Sequence, residues 1–315
     1  MESEVNIGVR SSGCEVRNRI MSRKPDFFIV GAAKSGTTSL YRYLIQHPAI
    51  FLPKLKEPHF FGEWHPTTGV NDLKEYLDLF AGVPQEIQAG EATTAYLYSS
   101  GAAQEIKRFQ PNARIMMILR NPVDRAYSNY WEQREGKYWE QRDPVETLSF
   151  EEALEAEPGR IRQGWGYAFH YVASGHYTEQ VTRYVEVFGH DAVRIYLFED
   201  LLRDAEGVCR DIFSFLEVDP GYPIRADKAH NPSGPPRSAL ISKLLYDRMS
   251  IKEPVKKVLP ITARKSVKEW LRVRNVRPTP KMNPETRSML QAVFRKDILR
   301  LEGLIKRDLS HWLET

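Results

Sequence analysis

Cysteine is scarce in this chain. Only two of the 315 residues are cysteines, Cys14 and Cys209, which excludes a disulfide framework and a zinc site built from cysteines. The low cysteine content favours a protein of the reducing cytoplasm. The histidines other than His59 show no metal-ligand spacing, so we expect no metal site.

Long apolar runs and a strong excess of one charge are also missing. No run approaches the ~18 apolar residues of a membrane span, so no transmembrane segment is expected. Residues 1–24 are polar and lack the apolar core of a secretory signal, so we expect a flexible polar leader there. The net charge of +4 is too small to indicate a nucleic-acid partner. Residues 252–281 hold a local excess of +8, whose role the sequence leaves open.

From residue 25 onward, apolar runs alternate with helical patterns. Short apolar runs typical of buried parallel strands cover Phe27–Val30, Arg114–Leu119 and Val193–Phe198. Helical patterns cover residues 37–46, 76–80, 102–109, 122–134, 177–188, 205–216, 239–249 and 284–307. This alternation predicts an α/β fold, with a mostly parallel central sheet flanked by helices. No linker interrupts the pattern, so residues 25–315 are expected to form a single domain.

A loop of small residues joins the first predicted strand to the first predicted helix. It contains a lysine, two small residues and a run of three hydroxyl residues, namely Lys34, Ser35, Gly36, Thr37, Thr38 and Ser39. A tight turn, a positive charge and the amides of a helix start together favour an anion such as phosphate. This arrangement predicts a P-loop-like nucleotide-binding topology.

The loop differs from a Walker A loop, in which lysine follows the last glycine. Here Lys34 precedes Gly36, and the strand 114–119 ends in Arg120 instead of a magnesium-binding aspartate. These differences favour a phosphate group held without a metal. A P-loop-like kinase or ATPase is the alternative.

Arg120 and Ser128 form a second candidate anion site. Arg120 follows a buried strand, where ligands bind in open α/β sheets, and Ser128 lies near the start of the next helix. An arginine fork with a hydroxyl suits a phosphate monoester. Alternatively, Arg120 pairs with Asp124 on the helix surface. If both anion sites are real, the ligand is a nucleotide with phosphate at both ends.

The sequence resembles the sulfotransferases that use 3′-phosphoadenosine 5′-phosphosulfate (PAPS). Residues 24–40 are similar to their 5′-phosphosulfate loop, and residues 118–130 to their 3′-phosphate element. Residues 56–61, Lys-Glu-Pro-His-Phe-Phe, resemble the heparan-sulfate-type and bacterial carbohydrate branch. Segment 231–238 and the closing Asp-Leu-Ser-His-Trp also resemble bacterial members.

The resemblance implies transfer of a sulfuryl group from PAPS to a hydroxyl or amine, with release of 3′-phosphoadenosine 5′-phosphate (PAP). It implies that Lys34–Ser39 hold the phosphosulfate, that Arg120 and Ser128 hold the 3′-phosphate, and that Arg237 contributes to the donor site. By the same resemblance Glu57 is the base, and His59 orients it or shares the proton. An unperturbed glutamate is a weak base, so we expect burial to raise the pKa of Glu57.

The acceptor is less well defined by the sequence. Many glycan sulfotransferases carry lysine where this chain has Ala92, which argues against a heparan-like acceptor. A glycan or another small molecule fits the remaining pattern, and the sequence does not indicate an oligomeric state. A non-catalytic polyanion-binding module using residues 252–281 is a further alternative, although the intact Lys34, Glu57, Arg120 and Ser128 favour an enzyme.

Overall fold

The computed structural model describes residues 23–63, 69–134, 145–226 and 279–314. Arg237, the helix expected over 239–249 and most of the basic stretch lie outside the described residues. Arg23 and Lys24, assigned to the leader, contact the folded part. The Arg23 guanidinium pairs with Asp26, and Lys24 Nζ donates a hydrogen bond of 2.9 Å to the carbonyl of Phe109.

A parallel sheet of five strands forms the centre of the described structure. The strands are β1 (Phe27–Gly31), β2 (Ile50–Phe51), β3 (Gln88–Ala92), β4 (Arg114–Leu119) and β5 (Val193–Leu197). They pair in the order β2-β3-β1-β4-β5, and every pair is parallel. The strand order reverses beside β1, which places a ligand crevice at the carboxyl ends of the central strands. The predicted α/β class and parallel sheet are confirmed.

Helices cover both faces of this sheet. Their bounds are α1 (Thr37–Leu44), α2 (Leu73–Asp78), α3 (Ala102–Phe109), α4 (Pro122–Arg134), α5 (Phe150–Arg162), α6 (Tyr177–Phe188), α7 (Phe198–Arg203), α8 (Ala205–Phe215) and α9 (Pro284–Ile305). The sequence did not predict β2, α5 or α7. The helix α5 contains Pro158 and Gly159, which both disfavour a helix interior. A capping box of Ser149 and Glu152 nevertheless starts it.

Alternate residues of β1 point into two apolar cores, as the pleat of a strand requires. Phe28 and Val30 belong to the core that also contains residues of α3, α4, α6 and α9. Phe27 and Ile29 belong to the core shared with α1 and α8. All four side chains are fully buried. The strand is therefore fixed from both faces, and so is the loop that follows it.

The segment Glu57–Phe61 is anchored on β3 and the turn after it. The Tyr96 hydroxyl accepts hydrogen bonds from the Phe60 and Phe61 amides at 2.9 and 3.3 Å. The Glu57 amide donates to the Ala92 carbonyl at 3.0 Å. The Phe60 ring stacks on Tyr76 at a centroid distance of 4.2 Å. Phe60 and Phe61 therefore hold this segment to the core.

Behind Tyr96 lies Glu91, a fully buried carboxylate of β3. Its oxygens accept hydrogen bonds from the Thr93 hydroxyl at 2.6 Å and from the Tyr76 hydroxyl. Burial raises the pKa of Glu91 to about 7, although the hydrogen bonds from Thr93, Tyr76 and Tyr96 oppose the shift. Glu91 therefore titrates near neutral pH while supporting the tyrosine that holds the segment Glu57–Phe61.

Gly90 in β3 tests how tightly this sheet packs. A Cβ atom at this position would lie 2.1 Å from the Phe27 ring, which is itself buried. We expect Gly90→Ala to lower the free energy of unfolding by about 2–3 kcal/mol, as overpacking does, measured by urea denaturation. Gly303→Ala in α9 is the control, because no atom lies within 4 Å of its Cβ. It should be neutral or stabilising, by up to ~1 kcal/mol, and equal effects at both positions would contradict this packing argument.

Glu91 should make stability depend on pH. With a pKa of about 7 in the folded chain against 4.5 for the ordinary group, the folded state keeps a proton that the unfolded state releases. Stability from Glu91 is therefore complete below pH ~4.5 and falls as the pH rises to ~7. The difference in unfolding free energy between wild type and Glu91→Gln should decrease by roughly 2–3 kcal/mol between pH 5 and pH 8. A constant difference would show that the hydrogen bonds keep Glu91 ionised throughout.

Candidate active site

The turn between β1 and α1 has the shape of an anion-binding loop. Lys34 and Gly36 adopt left-handed backbone conformations, with φ of 67° and 89°. A side chain at Gly36 would lie 3.0 Å from the ring of Phe198, so this turn requires glycine. No side chain caps the start of α1. The amides at this helix start therefore offer the donor set that the sequence predicted for phosphate.

Neighbouring elements hold both the side-chain ammonium and the backbone carbonyl of Lys34. Its ammonium pairs with Glu132 of α4, with 2.7 Å between Nζ and Oε1, and the two side chains are only 11% and 9% exposed. Its carbonyl accepts a hydrogen bond of 3.0 Å from Nη1 of Arg120. The lysine thus points along a defined direction even though its backbone conformation is uncommon for a residue with a side chain.

Arg120 lies where the sequence placed it, directly after β4. Its guanidinium lies over the Phe198 ring at 4.8 Å, and burial lowers its pKa despite the opposing charge of Asp124. In this structure the Arg120 guanidinium donates to the Lys34 carbonyl, whereas Asp124 forms an ion pair of 2.5 Å with Arg287 of α9. Ser128 is buried on α4. Binding of a 3′-phosphate by Arg120 and Ser128 stays a prediction.

The hydroxyl residues of the loop differ in exposure. Thr38 and Ser39 are partly exposed in the first turn of α1, whereas Thr37 is buried. Ser35 is fully buried beside Tyr177. The hydroxyl of Ser35 therefore faces the protein interior. Ligand binding by this side chain stays a prediction.

Glu57 is the centre of a small charged cluster. Its carboxylate lies 2.6 Å from Lys56 Nζ, 3.0 Å from the Thr94 hydroxyl and 3.7 Å from His59 Nε2. Burial raises the pKa of Glu57, but the charges of Lys56 and His59 and the hydrogen bonds from Lys56 and Thr94 outweigh it. The net pKa lies below its ordinary value. The expectation that burial makes this carboxylate more basic is therefore wrong.

His59 lies in the same cluster, and its pKa lies below the ordinary value. Burial lowers its pKa, Glu57 opposes this shift, and the charge of Lys56 adds to it. The His59 ring also lies 6.2 Å from the ring of Tyr167. Both Glu57 and His59 have left-handed backbones, with φ of 61° and 51°. Such strain in a well-anchored loop is typical of functional sites.

A small cavity lies between the phosphate loop and Thr94. Its lining includes Ala32 and Ala33 of the loop, Thr94 and Tyr167 beside the cluster, and Asn129 of α4. Ala33 precedes Lys34 in the chain, and Thr94 is the residue that donates to Glu57. The cavity is thus lined by neighbours of both groups, whereas Lys34, Glu57 and His59 are not among its lining residues.

Sequence reasoning missed Glu132, Tyr96 and Glu91. Glu132 is four residues after Ser128, so the two share a face of α4, and this spacing is a usable signal. Glu91 lies within β3 and Tyr96 follows that strand, and their burial comes from tertiary packing, in which the Tyr76 hydroxyl of α2 donates to Glu91. Two further features concern the described ranges alone. No three His, Cys, Asp or Glu side chains cluster there as metal ligands, and none of the helices there is long and apolar enough to span a membrane.

Known proteins are similar to this chain. The model of the sulfotransferase domain family matches residues 24–300. This range spans every strand of the sheet and both loops of the candidate site. A crystal structure of a sulfotransferase from Alicyclobacillus acidocaldarius is 35% identical, with a TM-score of 0.70, over 93% of this chain and 100% of that one.

Curated relatives match over shorter regions. A human bifunctional heparan sulfate N-deacetylase/N-sulfotransferase 3 is 29% identical over 65% of this chain, and human carbohydrate sulfotransferase 15 is 33% identical over 34% of it. The matched regions span 24% and 27% of those proteins, so the chain covers about a quarter of their length. The family match and the bacterial structure confirm the resemblance, and the chain belongs to the sulfotransferase family.

Proposed function

We propose that this chain transfers a sulfuryl group from PAPS to a hydroxyl or amine of a carbohydrate or small-molecule acceptor and releases PAP. The observation that carries the proposal is the left-handed turn at Lys34 before an uncapped helix start, in a chain of the sulfotransferase family. Thr94, which donates to Glu57, lines the same small cavity as Ala32 and Ala33 of this turn, so the two parts of the proposed site are neighbours. Group transfer requires a donor and an acceptor in one space with the reacting atoms aligned.

The donor side fits a phosphosulfate. The uncapped start of α1, the left-handed turn and the ammonium of Lys34 supply backbone donors, a helix dipole and a full positive charge. Thr38 and Ser39 add hydroxyl groups on the partly exposed side. Arg120 and Ser128, one strand away, are the proposed partners of the 3′-phosphate.

Sulfuryl transfer is an in-line displacement in which positioning and electrostatics dominate, as in phosphoryl transfer. The bond from sulfur to the bridging oxygen breaks, and a bond from sulfur to the acceptor oxygen or nitrogen forms. Lys34 neutralises the charge that develops on the bridging oxygen as PAP leaves. The proton of the acceptor passes to Glu57 or His59.

Glu57 is the better placed of the two bases. Lys56 and Thr94 fix its carboxylate, and its lowered pKa keeps it ionised and able to accept a proton at neutral pH. A carboxylate with a lowered pKa is a weak base. The proton is therefore transferred late in the reaction, when the acceptor is already bonding to sulfur. His59, with a lowered pKa and its Nε2 3.7 Å from the carboxylate, takes the proton onward or orients the carboxylate.

A glycan acceptor is supported by the relatives, which include a heparan sulfate N-sulfotransferase and a carbohydrate sulfotransferase by name. Ala92 is buried in β3, so this position offers no charge to an anionic sugar. The proposal covers both a hydroxyl and an amine as the acceptor group. The cytoplasmic location, the extent of the leader and the part of Arg237 stay predictions.

Donor identity is tested by calorimetry. We expect PAP to bind more tightly than Mg·ATP, and a chelator to leave transfer of labelled sulfate unchanged.

Lys34→Ala should lower turnover by on the order of 10²–10³, the typical effect of losing one preorganised electrostatic contact. Lys74→Ala, an exposed lysine of α2, is the matched control. Stronger binding of Mg·ATP, or a Lys34→Ala variant with normal turnover, would refute the donor assignment.

The base assignment is tested by two variants. Glu57→Gln should lower turnover by roughly 10²–10⁴, the range for loss of a general base, while the affinity for PAP stays within about twofold because Glu57 does not contact the nucleotide. His59→Asn should lower turnover less than Glu57→Gln does if His59 only orients Glu57. Steady-state kinetics and PAP titration of both variants distinguish the cases. Normal turnover in Glu57→Gln with a collapse in His59→Asn would assign the base to His59.

A further inference from the structure

The Lys34–Glu132 pair places a negative charge inside the proposed donor site. The carboxylate lies 2.7 Å from the ammonium that the reaction needs, and both side chains are nearly buried. Glu132 and Ser128 share one face of α4. If Ser128 contacts the nucleotide, Glu132 therefore lies close to it as well. This step rests on the proposed function.

An incoming phosphosulfate must either displace Glu132 or share Lys34 with it. A lysine ammonium has three donors and can contact two anions at once. In that case two negative groups lie near one cation, in a partly buried space where water screens them weakly. In either case the charge of Glu132 opposes the anion. The same carboxylate neutralises Lys34 when no nucleotide is bound.

We infer that Glu132 is an exchange partner of the donor site, which competes with the nucleotide for Lys34 and thereby speeds the release of PAP. As PAP leaves, Lys34 regains the carboxylate, so it does not stay buried without a counter-charge. A buried charge that loses its partner destabilises the protein. The exchange of partners prevents this, because Lys34 always has a counter-charge. Glu132 acts here through Lys34 and is a positioning residue, with no contact to the acceptor required.

The test compares PAP binding and PAP dissociation in Glu132→Gln and wild type. We expect roughly tenfold tighter binding, as for removal of one opposing charge near an ion pair, mainly through slower dissociation. Glu155→Gln makes the same change of charge at an exposed site on α5 and should leave PAP binding unchanged. Glu132→Asp keeps the charge, and its affinity should stay within about threefold of wild type.

The effect must also depend on Lys34. In a Lys34→Ala background, Glu132→Gln should improve PAP binding by at most about twofold to threefold, because only direct repulsion remains. Unchanged or weaker PAP binding in Glu132→Gln would overturn the inference, and so would an equal gain in both backgrounds. Failure of the wild-type chain to bind PAP would instead refute the donor assignment, and the inference with it. Circular dichroism and thermal unfolding verify that each variant is folded.

Discussion

The left-handed turn at Lys34 is the constraint on which the site depends. Gly36 allows the turn, Arg120 holds the Lys34 carbonyl and Glu132 holds its ammonium. β1 fixes the turn from behind, because its side chains are fully buried in two cores. A loop held at so many points presents its donors in one geometry and needs little reorganisation when an anion binds.

The sheet and most of its helices could be predicted from local pattern. Buried parallel strands are continuous apolar runs, so β1, β4 and β5 are visible in the sequence. The short β2 carries too few residues for any pattern. The helix α5 was missed because Pro158 and Gly159 lower its propensity, while packing of Phe150 and Ala153 into the core stabilises it.

Candidate site residues could be named from the sequence where they belong to contiguous motifs, and were missed where tertiary contacts place them. Lys34 and Glu57 belong to such motifs, and Ala33, next to Lys34, lines the same small cavity as Thr94, which donates to Glu57. The partner of Lys34 is 98 residues away in sequence, and no local pattern indicates that pairing. The pKa of Glu57 was predicted in the wrong direction because burial alone was considered, whereas Lys56 and Thr94 reverse its effect.

Two ion pairs lie in the candidate site, Lys34–Glu132 on the proposed donor side and Lys56–Glu57 on the proposed acceptor side. In the proposed mechanism, the nucleotide competes with the carboxylate of the first pair. In the second pair, a proton from the acceptor would neutralise the carboxylate and leave Lys56 without its counter-charge. The ion pair would then favour return of that proton to solvent once the product leaves, since the charged form of Glu57 is the stabilised one. In this proposal, each lysine restores its half of the site after a turnover.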